Sequence, residues 1–293
     1  MIKISRAGYS VGPVLMAALT GFSWLATTET VSADDTAPAS VQLYALDCGR
    51  FEIDDMSAFS DAGEYDGRSG SLVNPCFLVR HPKGDLLWDL GLPESAAANG
   101  GEAQPGTRVF YDTPLATQLE QVGLTPADIE FIAFSHMHFD HTGGANAFTA
   151  STWLLNQREL AWATLPETAA SGAVDPSSFS GYATAPTQII DGDFDVFGDG
   201  SVRILRAPGH TPGHQLLLVT LPRDGKYLLG GDLYHTKENQ RELRVPQFNV
   251  SRADTLASFD RAIRLVRAKK ARFIVQHSPE DFATLPKFPA HLE

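Results

Sequence analysis

Ser135-His136-Met137-His138-Phe139-Asp140-His141-Thr142-Gly143-Gly144 is the stretch on which the fold turns. Three imidazoles and a carboxylate crowd together in the order His-x-His-x-Asp-His, directly after the short apolar run from Phe131 to Ser135. Neutral imidazole nitrogens and carboxylate oxygens are the usual donors for borderline divalent metals such as zinc. Side chains alternate along an extended strand end, so His136 and His138 point the same way and can grip one ion together. Asp140 and His141 lie just beyond, where the chain turns, and are placed to reach a second ion. Close-packed imidazoles that charge alike are unfavourable without a cation to organise them, so a polar turn with three unrelated histidines is the weaker account.

Residues 1–33 read as a secretory signal. Lys3 and Arg6 precede an apolar stretch from about Val11 to Ala26, and Val31-Ser32-Ala33 offers a small-x-small cleavage pattern. Gly12, Pro13 and Gly21 interrupt the apolar run, which is too short for a convincing transmembrane helix. An uncleaved anchor or a disordered tail is the alternative. Cleavage after Ala33 sends residues 34–293 to the periplasm or outside the cell, with no stable membrane insertion, and leaves enough chain for one large α/β domain. The full chain has 23 Lys+Arg against 35 Asp+Glu, and loss of Lys3, Arg6 and Glu29 leaves a net charge near −13. That balance argues against a nucleic-acid or anionic-membrane partner, which needs a basic surface. Cys48 and Cys76 lack metal-ligand spacing; export permits a disulfide between them, and buried thiols in neighbouring strands fit equally well.

Strands come first along the chain, then strands mixed with helices. Val41–Leu46 reads as a strand, Arg50–Ser71 as a long Asp-, Gly- and Ser-rich loop, and Cys76–Arg80 with Asp85–Asp89 as a hairpin around His81-Pro82-Lys83-Gly84. Phe51, Met56 and Phe59 are candidate pocket-wall groups within that long loop. Leu115–Val122 has helical spacing and stops at Gly123. Thr152–Leu155 is a strand, Gln157–Leu165 a helix, and Ala169–Gly181 has the small, polar composition of a surface loop or lid. Strands follow at Val202–Ala207, Gln215–Leu221 and Lys226–Gly230. The longest helix covers Arg252–Lys269, with Leu256, Phe259, Ile263 and Val266 as its apolar positions, and a strand closes the domain at Arg272–Val275. Two sets of strands with helices outside predict an α/β fold, a four-layer αββα sandwich.

Each later strand ends in a candidate ligand. Val202–Ala207 leads into Pro208-Gly209-His210-Thr211-Pro212-Gly213-His214, Tyr227–Leu229 into Gly230-Gly231-Asp232, and Phe273–Gln276 into His277. With the opening turn this makes five histidines and two aspartates, enough for two ions and a bridging oxygen. These motifs, with Thr236-Lys237-Glu238-Asn239, resemble those of metallo-β-lactamase-superfamily hydrolases, and within them the N-acyl-homoserine lactone lactonases. The resemblance covers essentially everything from Val41 onward. It implies that His136, His138 and His210 bind the first metal, that Asp140, His141 and His277 bind the second, and that Asp232 bridges them. His214 is then a structural group, and Asp89 the recurrent aspartate that orients a ligand imidazole.

The resemblance further implies two divalent ions, zinc first with iron, manganese or cobalt also compatible, and a shared water made nucleophilic by them. The substrate is then a small lactone or ester, with Asp140 passing a proton to the departing alkoxide. One departure matters: lactonases commonly carry a tyrosine three residues after the bridging aspartate, where this chain has His235, with Tyr234 one position earlier. Either the loop shifts to present Tyr234, or His235 takes the electrophilic role toward the substrate carbonyl, or the substrate differs. An exported organophosphate or carboxylester hydrolase, or a β-lactamase, is the alternative within the same fold. A flavodiiron-type relative would carry a carboxylate at His138, and a degenerate metal-binding scaffold would have lost a ligand.

Overall fold

Side chains along Leu43-Tyr44-Ala45-Leu46 go alternately to two different cores: Leu43 and Ala45 to one, Tyr44 and Leu46 to another. A strand buried on both faces belongs to an inner layer. The computed structural model describes residues 37–99, 102–104 and 106–293, so the signal peptide expected over residues 1–33 lies outside the described residues. The order is β1 (Gln42–Ile53), β2 (Gly70–His81), β3 (Gly84–Trp88), α1 (Glu94–Asn99), β4 (Glu102–Gln104), β5 (Thr107–Phe110), α2 (Leu115–Glu120), β6 (Phe131–Ala133) and α3 (Phe139–Thr142). Then come β7 (Thr152–Asn156), α4 (Gln157–Ala163), α5 (Pro166–Ala170), β8 (Thr187–Ile190), β9 (Phe194–Asp195), β10 (Val202–Arg206), β11 (Gln215–Leu221) and β12 (Gly225–Leu229). The chain ends with α6 (Lys237–Glu242), α7 (Arg252–Lys269), β13 (Arg272–Ile274) and α8 (Pro279–Phe282).

Two sheets result, ordered β4-β5-β1-β2-β3-β6-β7-β8 and β13-β12-β11-β10-β9. The first is antiparallel through β3 and parallel from β3 to β8. Phe77, Val79 and Trp88 from the first sheet meet Val202, Ile204, Leu217 and Val219 from the second in the central core. Leu115 and Leu119 of α2 cover the outer face of the first sheet, and Phe259 and Ala262 of α7 that of the second. The αββα sandwich expected from the sequence is the architecture found. No described helix is long and apolar enough to cross a membrane.

Several boundaries depart from expectation. β1 continues to Ile53 because Phe51 and Ile53 are buried while Glu52 is exposed, a period-two signal masked by the Asp- and Gly-rich residues around it. A bulge between Asp47 and Arg50 lets the strand pair with β5 as well as β2. The Ala169–Gly181 segment is no free lid: α5 covers its start, and Val174 and Phe179 plug into the core. On α7 the buried positions are Thr255, Ser258, Phe259 and Ala262, while Leu256 is 38% exposed. The helix sits so close to Gly209 that a Cβ there would fall 2.3 Å from the Thr255 nitrogen, which favours small residues on the contact face.

Pairing of Leu46 with Cys76 brings the two cysteines together, and Cys48 and Cys76 form a disulfide across β1 and β2 with both residues fully buried. It closes a loop spanning a sequence separation of 28. Loop-closure entropy of that size is worth about 2–4 kcal/mol. Replacing both cysteines with serine should lower the unfolding free energy by about that amount, measured by denaturant unfolding with midpoint and slope fitted for each protein, since the unbridged denatured chain is less compact.

Candidate metal centre

Ligands from both sheets emerge at one end of the sandwich. β6 stops at Ala133, the chain bends at Ser135, and His138, with ψ of 158°, stays outside the helix that follows. α3 then turns Asp140 and His141 inward, both buried. The loop joining β10 to β11 carries His210, the tight turn Gly231–Leu233 after β12 carries Asp232, and His277 follows β13. Thr236 ends the next extended segment by capping α6, its hydroxyl accepting the Asn239 N–H at 3.0 Å.

Two donor sets form. His136, His138, His210 and Asp232 make one, and Asp140, His141 and His277 the other, each within 4.8 Å internally. His136 Nε2, His138 Nδ1 and His210 Nε2 stand in a triangle with sides of 2.9, 3.1 and 3.2 Å. Donors at ~2.0–2.1 Å around a tetrahedral ion lie roughly 3.3 Å apart, so the triangle fits a metal. Asp232 faces both sets. Its Oδ2 is 3.3 Å from His210 Nε2 and 3.6 Å from His136 Nε2, while its Oδ1 is 2.8 Å from His277 Nε2 and 3.2 Å from His141 Nε2. Asp140 Oδ2 is 3.7 Å from His141 Nε2 and 3.8 Å from His277 Nε2. Among the described residues His141 Nε2 and Asp232 Oδ1 are buried and have only the ion-pair contacts above, with no hydrogen bond of good geometry, and a cation between them would satisfy both.

The surrounding layer fixes the tautomers. His277 Nδ1–H donates to the Val73 carbonyl at 2.7 Å, and His141 Nδ1 faces Asp89 Oδ2 at 3.0 Å, so each turns Nε2 to the centre. Asp89 in turn accepts from the Ser135 N–H and from Gln276 Nε2, both at 2.6 Å. His214 uses both ring nitrogens away from the donor sets: Nδ1–H donates to the Ala207 carbonyl and Nε2 accepts the Asp232 N–H, each at 3.0 Å. Its place is under the backbone of Asp232.

Charge follows the same division. Burial holds His136 and His138 well below the ordinary imidazole range, helped by the neighbouring imidazoles. Burial also opposes a charged His141, but Asp232, Asp89 and Asp140 outweigh it and push that ring well above the range; Asp232 and Asp140 do the same, less strongly, for His277. Burial disfavours ionised Asp232, yet His277, His141, His136 and His235 hold its carboxyl well below the usual range.

Tyr234 is not brought to the site. It is extended at φ −138° and ψ 133°, so it and His235 project to opposite sides. Its ring is 2% exposed and stacks on Phe259 of α7 at 4.4 Å. His235 faces the centre and donates Nε2–H to Asp232 Oδ2 at 3.0 Å. Above the donors opens a cavity of about 1080 Å³, lined by His138, Asp140, Asp232, His235 and His277 together with an apolar wall. Phe51 and Phe59 belong to that wall, as do Ser171, Gly172 and Ala173 of the expected loop. Met56 is buried one layer behind, packed with Tyr65 and Leu72. Trp162 and Phe248 also line the cavity, with the Trp162 ring 5.7 Å from His138. Neither stood out in the sequence, where the only signal was an aromatic group on a short polar helix or loop.

Comparison with known proteins agrees with this geometry. A family model described as the metallo-beta-lactamase superfamily matches residues 70–277. The N-acyl homoserine lactonase AttM of Azorhizobium caulinodans is 28% identical over 263 residues, covering 86% of this chain and 99% of that protein. An N-acyl homoserine lactonase of a Bacillus species is 31% identical over 258 residues, covering 86% and 98%. A solved N-acyl homoserine lactone hydrolase, with N-hexanoyl-L-homoserine at its catalytic metal centre, matches with a TM-score of 0.75, 28% identity, and coverage of 86% and 99%.

His136 and His138 are held below the ordinary imidazole range and His141 and His277 above it, so a cation competes with protons mainly at the second pair. Titrating Zn²⁺ into metal-free protein at pH 7, in two buffers of different ionisation enthalpy, should show proton release on binding, because His141 and His277 are shifted toward their charged forms. The release should shrink as pH rises through the raised values of that pair. Binding without proton release at pH 7 would contradict this charge arrangement.

Proposed function

The chain belongs to the metallo-β-lactamase superfamily, and on that footing we propose that it is an exported hydrolase that opens the ring of N-acyl-homoserine lactones. The observation that carries the proposal is the cavity of about 1080 Å³ over Asp140 and Asp232, walled by Phe51, Ile53, Phe59, Leu72, Trp162 and Phe248. An apolar acyl chain suits that wall while the lactone lies against the donors. The relatives named above support the choice of substrate. The apolar run within residues 1–33 and the Cys48–Cys76 disulfide support export to the periplasm or beyond.

Divalent ions in the two donor sets, zinc by donor chemistry with iron, manganese or cobalt as alternatives, supply Lewis acidity for the ester carbonyl and for a water molecule. His136, His138 and His210 would hold one, Asp140, His141 and His277 the other, and Asp232, which faces both sets, would be shared between them. Asp140 borders the cavity and is the group that takes the proton of the attacking water. As the ring C–O bond breaks, it returns that proton to the alkoxide oxygen, and the new carboxylic acid of the acyl-homoserine loses its own proton to solvent. His235 orients Asp232 through its Nε2–H and presents its ring to the ester, the place a tyrosine holds in lactonases. Tyr234 takes no part.

The turning of Tyr234 into the core favours one second account, an organophosphate or carboxylester hydrolase that has no use for a phenol at that place. Lactones of varied ring and acyl length, paraoxon, a simple aryl ester and nitrocefin, assayed side by side with metal analysis, separate the readings. N-acyl-homoserine lactones should give the highest kcat/KM, and a higher value for paraoxon or the aryl ester would replace the lactonase assignment. Asp140→Asn should lower kcat by about 10²–10⁴-fold with the fold intact by circular dichroism. Unchanged turnover would remove Asp140 from the proton path.

A further inference from the structure

α4 lies directly behind the first donor set. Asn156 caps it, its Oδ1 accepting the N–H groups of Arg158 at 2.9 Å and Glu159 at 3.2 Å. Glu159 is 2% exposed and makes no ion pair among the described residues, an expensive placement for a carboxylate. Its two oxygens go to two different loops. Oε1 accepts the N–H of Met137, between His136 and His138, and Oε2 accepts the N–H of Gly213, on the loop that carries His210; both bonds are 2.9 Å. The approach is so tight that a Cβ on Gly213 would fall 2.4 Å from the Glu159 nitrogen and from Asn156 Oδ1. This accounts for Gly213 in the Thr-Pro-Gly-His sequence.

We propose that Glu159 is a positioning residue for the first metal ion: its carboxylate sets the spacing between the His136–His138 pair and His210. A carboxylate is acceptor-only at both oxygens and can receive an N–H from each loop. A glutamine in the same place offers one oxygen, and its NH₂ group would confront the second N–H. The loops also meet where the Gln215 N–H bonds the Ser135 carbonyl at 2.8 Å; Glu159 adds the link at Met137 and Gly213, next to the ligands themselves. The second set is held differently, through Asp89 on His141 and the Val73 carbonyl on His277. Loss of Glu159 therefore acts on one half of the centre. The inference rests on the two-metal assignment.

The test compares full-length wild type, Glu159→Gln and Phe197→Leu, the last a core substitution whose ring contacts are His81 and Phe131. Each is loaded with Zn²⁺ and titrated with a competing chelator, and Co²⁺-loaded samples report which site empties through their visible absorption. Wild type should hold two ions per chain. Glu159→Gln should keep the second and release the first at about 10- to 100-fold lower chelator concentration, with activity restored by excess metal. Phe197→Leu should lose thermal stability and keep both ions. Wild-type affinity at both sites in Glu159→Gln, or parallel loss of both ions, would overturn the positioning role. If Glu159→Gln does not fold, Glu159→Asp decides by the same titration, because it keeps the charge but is a methylene too short to span both loops. Fewer than two ions in wild type would overturn the two-metal centre itself, separately from Glu159.

Discussion

Asp232 is a carboxylate enclosed by protein, with one oxygen turned to His136 and His210 and the other to His141 and His277. Burying an ionised carboxylate is costly unless its charge is compensated where it sits. Here compensation comes from imidazoles on two sides, and from cations once these are bound. The surrounding contacts serve that placement: His214 receives the Asp232 N–H and His235 bonds its Oδ2. Removing the carboxylate would leave imidazoles facing one another with nothing between them.

That arrangement makes the centre a cross-link between the two sheets. His136, His138, Asp140 and His141 follow β6 in the first sheet, whereas His210, Asp232 and His277 follow strands of the second. Each donor set draws on both. Ligand spacing of a few ångströms therefore depends on how the sheets are packed, and the central core of Phe77, Trp88, Ile204, Leu217 and Val219 is dense and apolar throughout. Bonds such as Gln276 to Asp89, which join the end of β13 to the residue beside His141, reinforce the same junction.

The donor sets were legible because their chemistry is local: histidines two residues apart on a strand end share a face whatever the rest of the chain does. The layered fold was legible from strand alternation and from the amphipathic span of α7. The Cys48–Cys76 pairing was not, because it depends on a cross-strand register that a one-residue slip would undo. Tyr234 against His235 was undecidable for a related reason, since the choice rests on the backbone angles of a single residue. Glu159 carried no signal at all. A lone glutamate in the first turn of a helix ordinarily faces water, and only the two loops folding over α4 give it a buried role.

The segment from Asp232 to Asn239 joins chemistry to specificity in eight residues. It opens with the carboxylate that faces both donor sets, places His235 against Phe59 and Phe248 at the cavity wall, and ends with Asn239, whose Nδ2 donates to the Phe59 carbonyl at 2.9 Å. Tyr65, from the same loop as Phe59, bonds Thr236 at 2.6 Å and Asn239 at 2.7 Å, while its ring lies between the guanidinium groups of Arg68 and Arg244. Gln247 stitches the next turn to the carbonyls of Ser57 and Ser60. The apolar wall is thus tied through hydrogen bonds to the turn that carries Asp232. A side chain exchanged at Phe59 or Phe248 changes what the cavity accepts, whereas one exchanged at Tyr65 or Asn239 loosens the wall relative to the metals. Substrate choice and catalytic geometry are separable at the first pair and coupled at the second.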